Sequence, residues 1–372
     1  MAVYEFPGFI DVHVHFRDPG MTAAETLQSG ADAAGRGGFA AVVTMPNTNP
    51  AGDSAEWIRR QLDAEGLPVK VIPSACITKG RQGGEVADLE ALADAGAAFF
   101  TDDGSYVESD AVMESAMARA ADLGLAVCDH AMVPAVQAGG VIRDCALARA
   151  LNLPVISAAT EIEAIRRDLS LCRVTGCRLH IQHISTAEGV ELVRGAQREG
   201  LPVSAEATPH HLLLSCDDLT ADDAAYKMAP PLGNREDRAE LRRAVKDGVL
   251  MFATDHAPHP AETKSRGFAG SANGIIGLET AIAITHRVMV EEEGMPLEDW
   301  ARAWWEMPRD LIGARRMEMM SLKPTKIETG ILWKYDLASS ASLSRNCPYD
   351  AMEFGCRAVV ACRARKDYNN RK

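Results

Sequence analysis

Gly8-Phe9-Ile10-Asp11-Val12-His13-Val14-His15-Phe16-Arg17 is an apolar, β-branched run that closes on two imidazoles two positions apart. In a β-strand, side chains two apart share a face. Ile10, Val12 and Val14 are therefore expected on one side, with His13 and His15 together on the other as a pair of ligands for a transition-metal ion. Taken alone, the pair reads equally well as packed, hydrogen-bonded histidines. What decides between the two is whether other strands end in the same way.

Seven more short apolar or β-branched segments follow residues 9–15, at 39–45, 69–75, 97–101, 125–129, 178–183, 202–207 and 249–254. Amphipathic stretches at 23–35, 53–65, 85–95, 109–123, 187–199 and 235–246 separate them, several ending in Gly as a helix C-terminus prefers. Two more helical segments, 134–150 and 157–174, form an insertion after the fifth strand. A Pro/Gly-rich loop at 256–273 and helices around 275–292 and 297–312 follow the eighth. Strands alternating with helices imply parallel order and right-handed crossovers. Eight such units predict an α/β fold, a (β/α)8 barrel of the TIM type, occupying residues 1–314. Residues 315–372 are expected to form a reduced, irregular C-terminal satellite segment.

The bulk composition fits. A chain of 372 residues accommodates such a barrel, which needs about 250, with insertions. No stretch approaches the roughly 18 consecutive apolar residues of a membrane span. The net charge of −13 argues against nucleic acid or an anionic membrane surface as partner, so an anionic substrate must be met by local cations. Nine scattered cysteines, and an opening Met1–Phe6 with neither a basic start nor an apolar core, point to reduced thiols and a cytoplasmic location.

In a barrel of this type the C-terminal strand ends form the active face. His13 and His15 come from strand one, Asp103 from just past strand four, His130 from strand five, His183 from strand six and Asp255 from strand eight. Isolated core histidines have no reason to choose strand ends on one face, so the coincidence favours a metal site. Four imidazoles and two carboxylates are too many for one four-coordinate catalytic zinc; two ions sharing a carboxylate and a bridging hydroxide fit better. Asp255 could bind one ion through one oxygen and take the hydroxide proton through the other, serving as general base and then general acid. Arg17, Asn47, His259 and the Asn273-Gly274 backbone also fall at strand ends, aimed at a substrate. Singly, they read as a surface ion pair, a turn former and a loop hydrogen bonder; their shared location is what selects them.

Gly8–Gly20, Met45-Pro46-Asn47-Thr48, Thr101-Asp102-Asp103-Gly104, Thr254-Asp255-His256-Ala257-Pro258-His259 and Gly274-Ile275-Ile276-Gly277-Leu278-Glu279-Thr280 resemble the dihydroorotases of the amidohydrolase superfamily, of the bacterial class I type. The resemblance covers roughly residues 5 to 315. It implies reversible ring closure of N-carbamoyl-L-aspartate to dihydroorotate in pyrimidine biosynthesis, on two Zn2+ ions per subunit. By that resemblance His13, His15 and Asp255 hold one ion, His130 and His183 the other, and Asp103 bridges them with a hydroxide. Arg17, Asn47 and His259 are then the clamp on the substrate α-carboxylate, with His15 also beside the substrate and the Asn273-Gly274 backbone on the pyrimidine ring. The partners admitted are the small-molecule substrate, a second copy of the chain in a homodimer, and aspartate transcarbamoylase.

Departures from the family pattern are specific. Ala229 and Gly233 stand where many class I members carry Asn and Arg, so a hydrogen bond to the substrate ring, worth about 0.5–1.5 kcal/mol, is expected to be missing unless replaced. His210-His211 reads as a packed pair. Only eight residues precede strand one, so the N-terminal part of the relatives' small β-sandwich is expected to be absent, and residues 332–343 lack the pattern of its closing strands. Two other readings are a hydantoinase- or allantoinase-like hydrolase and a non-catalytic homologue serving as a scaffold for aspartate transcarbamoylase. The first group uses a carboxylated lysine as bridge, and no Lys occurs between Arg81 and Ala131. The second would be expected to have lost metal ligands, and all six are present.

Overall fold

The computed structural model describes residues 1–313, 317 and 320–360. After β1 (Ala2–Phe6), strands β2 (Phe9–Val14), β3 (Phe39–Thr44) and β4 (Lys70–Pro73) pair in parallel. A second parallel set comprises β5 (Ala126–Asp129), β6 (Arg178–Ile181), β7 (Val203–Ala207) and β8 (Met251–Phe252). Parallel bridges Ala75–Phe100 and Phe100–Val127 join the two sets on one side, and Val14–His256 joins them on the other. The ring therefore closes through eight strand positions, the fourth being a bridge at Phe100 within the expected segment 97–101.

Helix ends follow local chemistry. Helix Leu27–Gly37 starts at a capping box between Thr26 and Ser29 and stops at Gly38, whose φ of 92° a side chain would resist. Asn234 and Asp237 form the same box for Arg235–Lys246. Helix Leu297–Ile312 closes the barrel side, its Trp304 ring packing edge-on against Phe39 at 5.2 Å. Thr285 Oγ1 accepts from the indole nitrogens of both Trp300 and Trp304 at 3.2 and 3.1 Å, so neither buried N–H is left unpaired. In the insertion, the expected helix 134–150 is two short pieces, Pro134–Gln137 and Ala146–Ala150, because Gly139 (φ 74°) and Gly140 turn the chain between them. No helix of the described residues is long and apolar enough to cross a membrane. The eight described cysteines are buried and unpaired with one another.

One expectation for β2 needs correcting. Ile10 and Val12 join Ala41, Val43, Cys128 and Met251 in the barrel interior, whereas Val14 packs outside with Phe9 and Phe16. The reason is a register shift between Asp11 and Val14, where three residues of β2 span two of β3. That bulge places Ile10, Val12 and the two histidines on the same interior side.

The satellite region is more regular than its sequence pattern suggests. β9 (Thr325–Lys334) pairs antiparallel with β1 and with β10 (Glu353–Val360) in a three-stranded sheet, so the N-terminus does contribute a strand. β1 is not legible in the sequence because Val3 and Tyr4 are exposed and only its last residue, Phe6, packs inward, on Phe9 at 5.9 Å, so the strand shows no apolar face. Likewise Leu332 faces solvent while the Trp333 ring packs tilted against Phe354 at 5.2 Å. The expected boundary at 314/315 adjoins residues 314–316 and 318–319, which lie outside the described residues, as do 361–372.

Candidate active site

β2 delivers two imidazoles with defined tautomers. His13 Nδ1 lies 2.5 Å from Glu206 Oε1 and His15 Nδ1 lies 2.9 Å from Asn47 Oδ1, so each ring has its Nδ1 engaged and turns Nε2 to the same place. There His15 Nε2 is 2.9 Å from Asp255 Oδ1, and His13 Nε2 is 3.6 Å from the same atom. Asp103 enters from beyond the fourth strand, with Oδ1 3.3 Å from His13 Nε2 and Oδ2 3.4 Å from His15 Nε2. Across it, His130 Nδ1 is 3.6 Å and His183 Nε2 3.7 Å from Asp103 Oδ1, the two ring nitrogens being 2.9 Å apart. The six residues expected as metal ligands thus converge, with Asp103 central.

The backbone is bent to bring them there. Arg17, His183 and Asp255 have φ of 57°, 35° and 46°, a region that residues with a Cβ enter at a cost of about 1–3 kcal/mol. Arg81, also at positive φ, donates through Nη2 to the Asp103 carbonyl at 2.5 Å and to Ser105 Oγ at 2.8 Å. Asp11 accepts from Thr254 N and Thr254 Oγ1 at 3.0 and 2.5 Å, tying β2 to the β8 end that carries Asp255. Asp102 is likewise engaged, accepting from the Ile77 and Thr78 amides at 2.8 and 3.1 Å, which leaves Asp103 as the carboxylate facing the histidines.

The donor set fits a cationic centre. His13 Nε2 and Asp103 Oδ1 are buried without a hydrogen-bond partner, an arrangement that is costly unless something else occupies that point. Donor atoms of His13, His15 and Asp255 lie within 4.8 Å of one another, as do those of His13, Asp103 and His183. Burial disfavours charge on His13, yet Glu206, Asp103 and Asp255 hold its proton affinity well above the usual imidazole range. Burial also opposes charge on Asp103, but His13 and His15 hold it well below the carboxylate range. A site that draws positive charge onto an imidazole in this way is one that metal cations would satisfy.

Sequence reading missed Glu206, which lies under the centre. Besides His13, it meets His180 Nε2 at 2.9 Å and accepts from the His183 amide at 3.2 Å. Burial favours its protonated form, but the histidines hold its pKa down at about 2. The signal was a carboxylate within the otherwise uncharged strand Val203–Ala207. Glu206→Gln keeps the shape but removes one acceptor, and metal affinity is expected to fall about 10–100-fold, measured by competition with a chelator.

The substrate-side candidates line a cavity of about 330 Å³ at this mouth, together with Met132, Gln137 and Ala229. A larger cavity of about 820 Å³, at the opposite ends of β3 and β4, contains none of the candidate ligands. Arg17 is half-buried, and the desolvation lowers its pKa to about 10, so it stays cationic at neutral pH. Its Nε donates to Pro258 O at 3.3 Å, and no carboxylate pairs with it among the described residues. His259 Nε2 lies 3.4 Å from Arg17 Nη2; burial, Arg17 and Lys264 bring its pKa down to about 3, so its ring is neutral. Asn47 is partly committed, its Oδ1 on His15 and its Nδ2 3.4 Å from Asp103 Oδ2.

Gly274 is placed differently from a free backbone donor. Its N–H donates to Lys227 O at 2.9 Å, and its carbonyl accepts from Lys264 Nζ and Asn346 Nδ2 at 2.9 and 3.0 Å. Its role is space. A Cβ there would stand 2.5 Å from both Ala257 O and His259 Cδ2, at a φ of 155°. Gly274→Ala is therefore expected to displace the His259 ring, raising KM and lowering stability by about 1–3 kcal/mol, checked by kinetics and thermal melting. Gly233 also has no room for a larger side chain, since a Cβ would lie 2.7 Å from Ser185 O. His211 is satisfied by Thr208 Oγ1 at 2.8 Å and Pro230 O at 3.1 Å, as a packed role requires, whereas His210 is buried with its Nε2 without a hydrogen-bond partner among the described residues.

Residues 4–189 match the family model described as dihydro-orotase-like. The dihydroorotase of Geobacillus thermodenitrificans is 45% identical over 301 residues, covering 79% of this chain and 70% of its own. The chain belongs to the dihydroorotase family. The dihydroorotase of Bacillus licheniformis is 39% identical over 99% of this chain and 87% of its own. Among solved structures, the L-hydantoinase of Arthrobacter aurescens is similar with a TM-score of 0.83 and 25% identity, over 96% of this chain and 84% of its own. The Saccharomyces cerevisiae dihydroorotase in complex with 5-fluoroorotic acid shares the fold, with a TM-score of 0.77 and 16% identity over 97% and 99%. The family consists of metal-dependent cyclic amidohydrolases, and the closed barrel agrees with its architecture.

Proposed function

We propose that this chain catalyses the reversible hydrolysis and closure of the dihydroorotate ring, interconverting it with N-carbamoyl-L-aspartate. The observation that carries the reading is the joint presence, in one cavity of about 330 Å³, of His15, Asp103, His130, His183 and Asp255 and of a half-buried arginine with no carboxylate partner among the described residues. His13, His15 and Asp255 would hold one zinc ion, His130 and His183 a second, with Asp103 shared. Such ions polarise the scissile carbonyl and bring the pKa of a water near neutrality.

The remaining work falls to side chains. Arg17 and neutral His259 hold the substrate carboxylate, a charge-assisted contact that also fixes which ring amide faces Asp103. Asn47 contributes chiefly by holding His15, with its amide edge toward the same cavity. Asp255 is held below the carboxylate range because His13, His15 and His183 outweigh the effect of burial, so it starts as a carboxylate. In the hydrolytic direction it takes the proton of the attacking water and passes it to the departing ring nitrogen; in closure it reverses both transfers.

Asp103 at the bridging position favours this reading over a hydantoinase-like one, despite the similar fold. Turnover of dihydroorotate against hydantoin and allantoin tests it: dihydroorotate should be the preferred substrate, and failure to turn it over would refute the proposal. A cytoplasmic location goes with this reading. A homodimer or a complex with aspartate transcarbamoylase would be read out by light scattering.

A further inference from the structure

The loop after β8 and the segment before helix Ala281–Thr285 are joined by a residue from the far end of the chain. Asn346 is buried, and its Nδ2 donates to Ala257 O at 2.9 Å and to Gly274 O at 3.0 Å. Its Oδ1 accepts from the His259 amide at 3.1 Å, and its own carbonyl accepts from Ile276 N at 3.0 Å. Both amide protons and the side-chain carbonyl are thus used, each on a different backbone group. Only a carboxamide can donate twice and accept once at such a point. The segment is seated from the other side by Ser344 Oγ, which donates to Ala24 O at 2.8 Å, and by Glu25, which accepts from Leu343 N at 3.2 Å and from Ser342 Oγ.

We infer that Asn346 is a positioning residue for the substrate-carboxylate grip: it sets the spacing of the 257–259 and 273–274 backbones and so fixes the His259 ring beside Arg17. The inference rests on the reading of Arg17 and His259 given above. The coupling is steric as well as polar. Gly274 packs so closely on His259 Cδ2 that a change in their spacing moves the ring, and the ring is only 3.4 Å from the Arg17 guanidinium. None of the six metal-site residues takes a hydrogen bond from the Asn346 side chain, so its loss should act on binding and spare the metal centre.

Asn346→Ala is expected to raise KM for dihydroorotate about tenfold or more, with kcat within about threefold of wild type and metal content unchanged. Asn346→Asp keeps the acceptor for the His259 amide but sets a carboxylate oxygen against two carbonyls, and should raise KM further. Ser344→Ala, which loosens the same segment without touching either loop, should lower the melting temperature and leave KM unchanged. Amide exchange of the 257–259 peptide, which needs no substrate, should speed up in Asn346→Ala and stay slow in Ser344→Ala. If Asn346→Ala does not fold, Asn346→Ser, which retains one donor, should show the same changes at smaller size. Variants that lose stability while keeping wild-type KM and wild-type exchange at 257–259 would overturn the inference. A wild-type enzyme inactive on dihydroorotate would instead refute the functional reading, leaving the exchange comparison to decide the role of Asn346.

Discussion

Asp255→Asn is expected to lower kcat for dihydroorotate about 10³-fold or more, the largest single effect in the site. The substitution keeps the side chain's size, so the strained turn at φ 46° and its contacts should survive, while the proton acceptor is lost. General acid–base groups contribute about 10²–10⁴-fold, and here one carboxylate serves both proton transfers. The same residue lies 2.9 Å from His15 Nε2, so the amide also weakens one metal position. Steady-state kinetics with parallel metal determination separates the two effects: a variant loaded with wild-type metal content yet slowed by three decades identifies the lost proton transfer. A fully loaded variant that retains kcat within tenfold would remove Asp255 from its assigned role.

Arg17→Gln is expected to act mainly on binding. The arginine is a half-buried cation without a carboxylate partner among the described residues, in a chain of net charge −13. Replacing it by a neutral amide removes a charge-assisted hydrogen bond worth about 1.5–3 kcal/mol, which corresponds to about 10–100-fold in KM. Because the lost charge no longer faces Asp103 or Asp255, metal content should be retained. Arg17→Lys restores the charge but not the fork of donors, so it should recover only part of the binding. A KM unchanged in both variants would show that the anionic group of the substrate binds elsewhere.

Much of the candidate site was legible because the residues proposed as metal and substrate ligands are polar residues at the ends of apolar strands. Six such residues, from positions 13 to 255, come from five separate strand ends, only His13 and His15 being neighbours, yet each falls where a strand pattern stops. The strand ends themselves were less legible. Phe100 takes part in the ring through bridges alone, and the β2 bulge moved Ile10 and Val12 to the interior side, because register is a property of the pair of strands. Glu206 was hidden by its isolation within an apolar strand, although a buried carboxylate there demanded partners. Asn346 was hidden for another reason. Its importance lies in what it joins, the Ala257 and Gly274 carbonyls and the His259 amide, and those contacts exist only once residues 72 to 89 positions apart have met. The satellite strands were obscured by solvent: Val3, Tyr4 and Leu332 expose apolar side chains, so neither β1 nor β9 shows clean alternation.

Metal content measured alongside turnover in wild type and Asp103→Ala goes to the heart of the matter, since Asp103 stands between the two histidine pairs. Wild-type protein should carry close to two zinc equivalents per chain, and Asp103→Ala should lose at least one of them together with nearly all activity on dihydroorotate. An Asp103→Ala protein that keeps wild-type ion content and wild-type turnover would contradict a shared-carboxylate metal centre in this barrel.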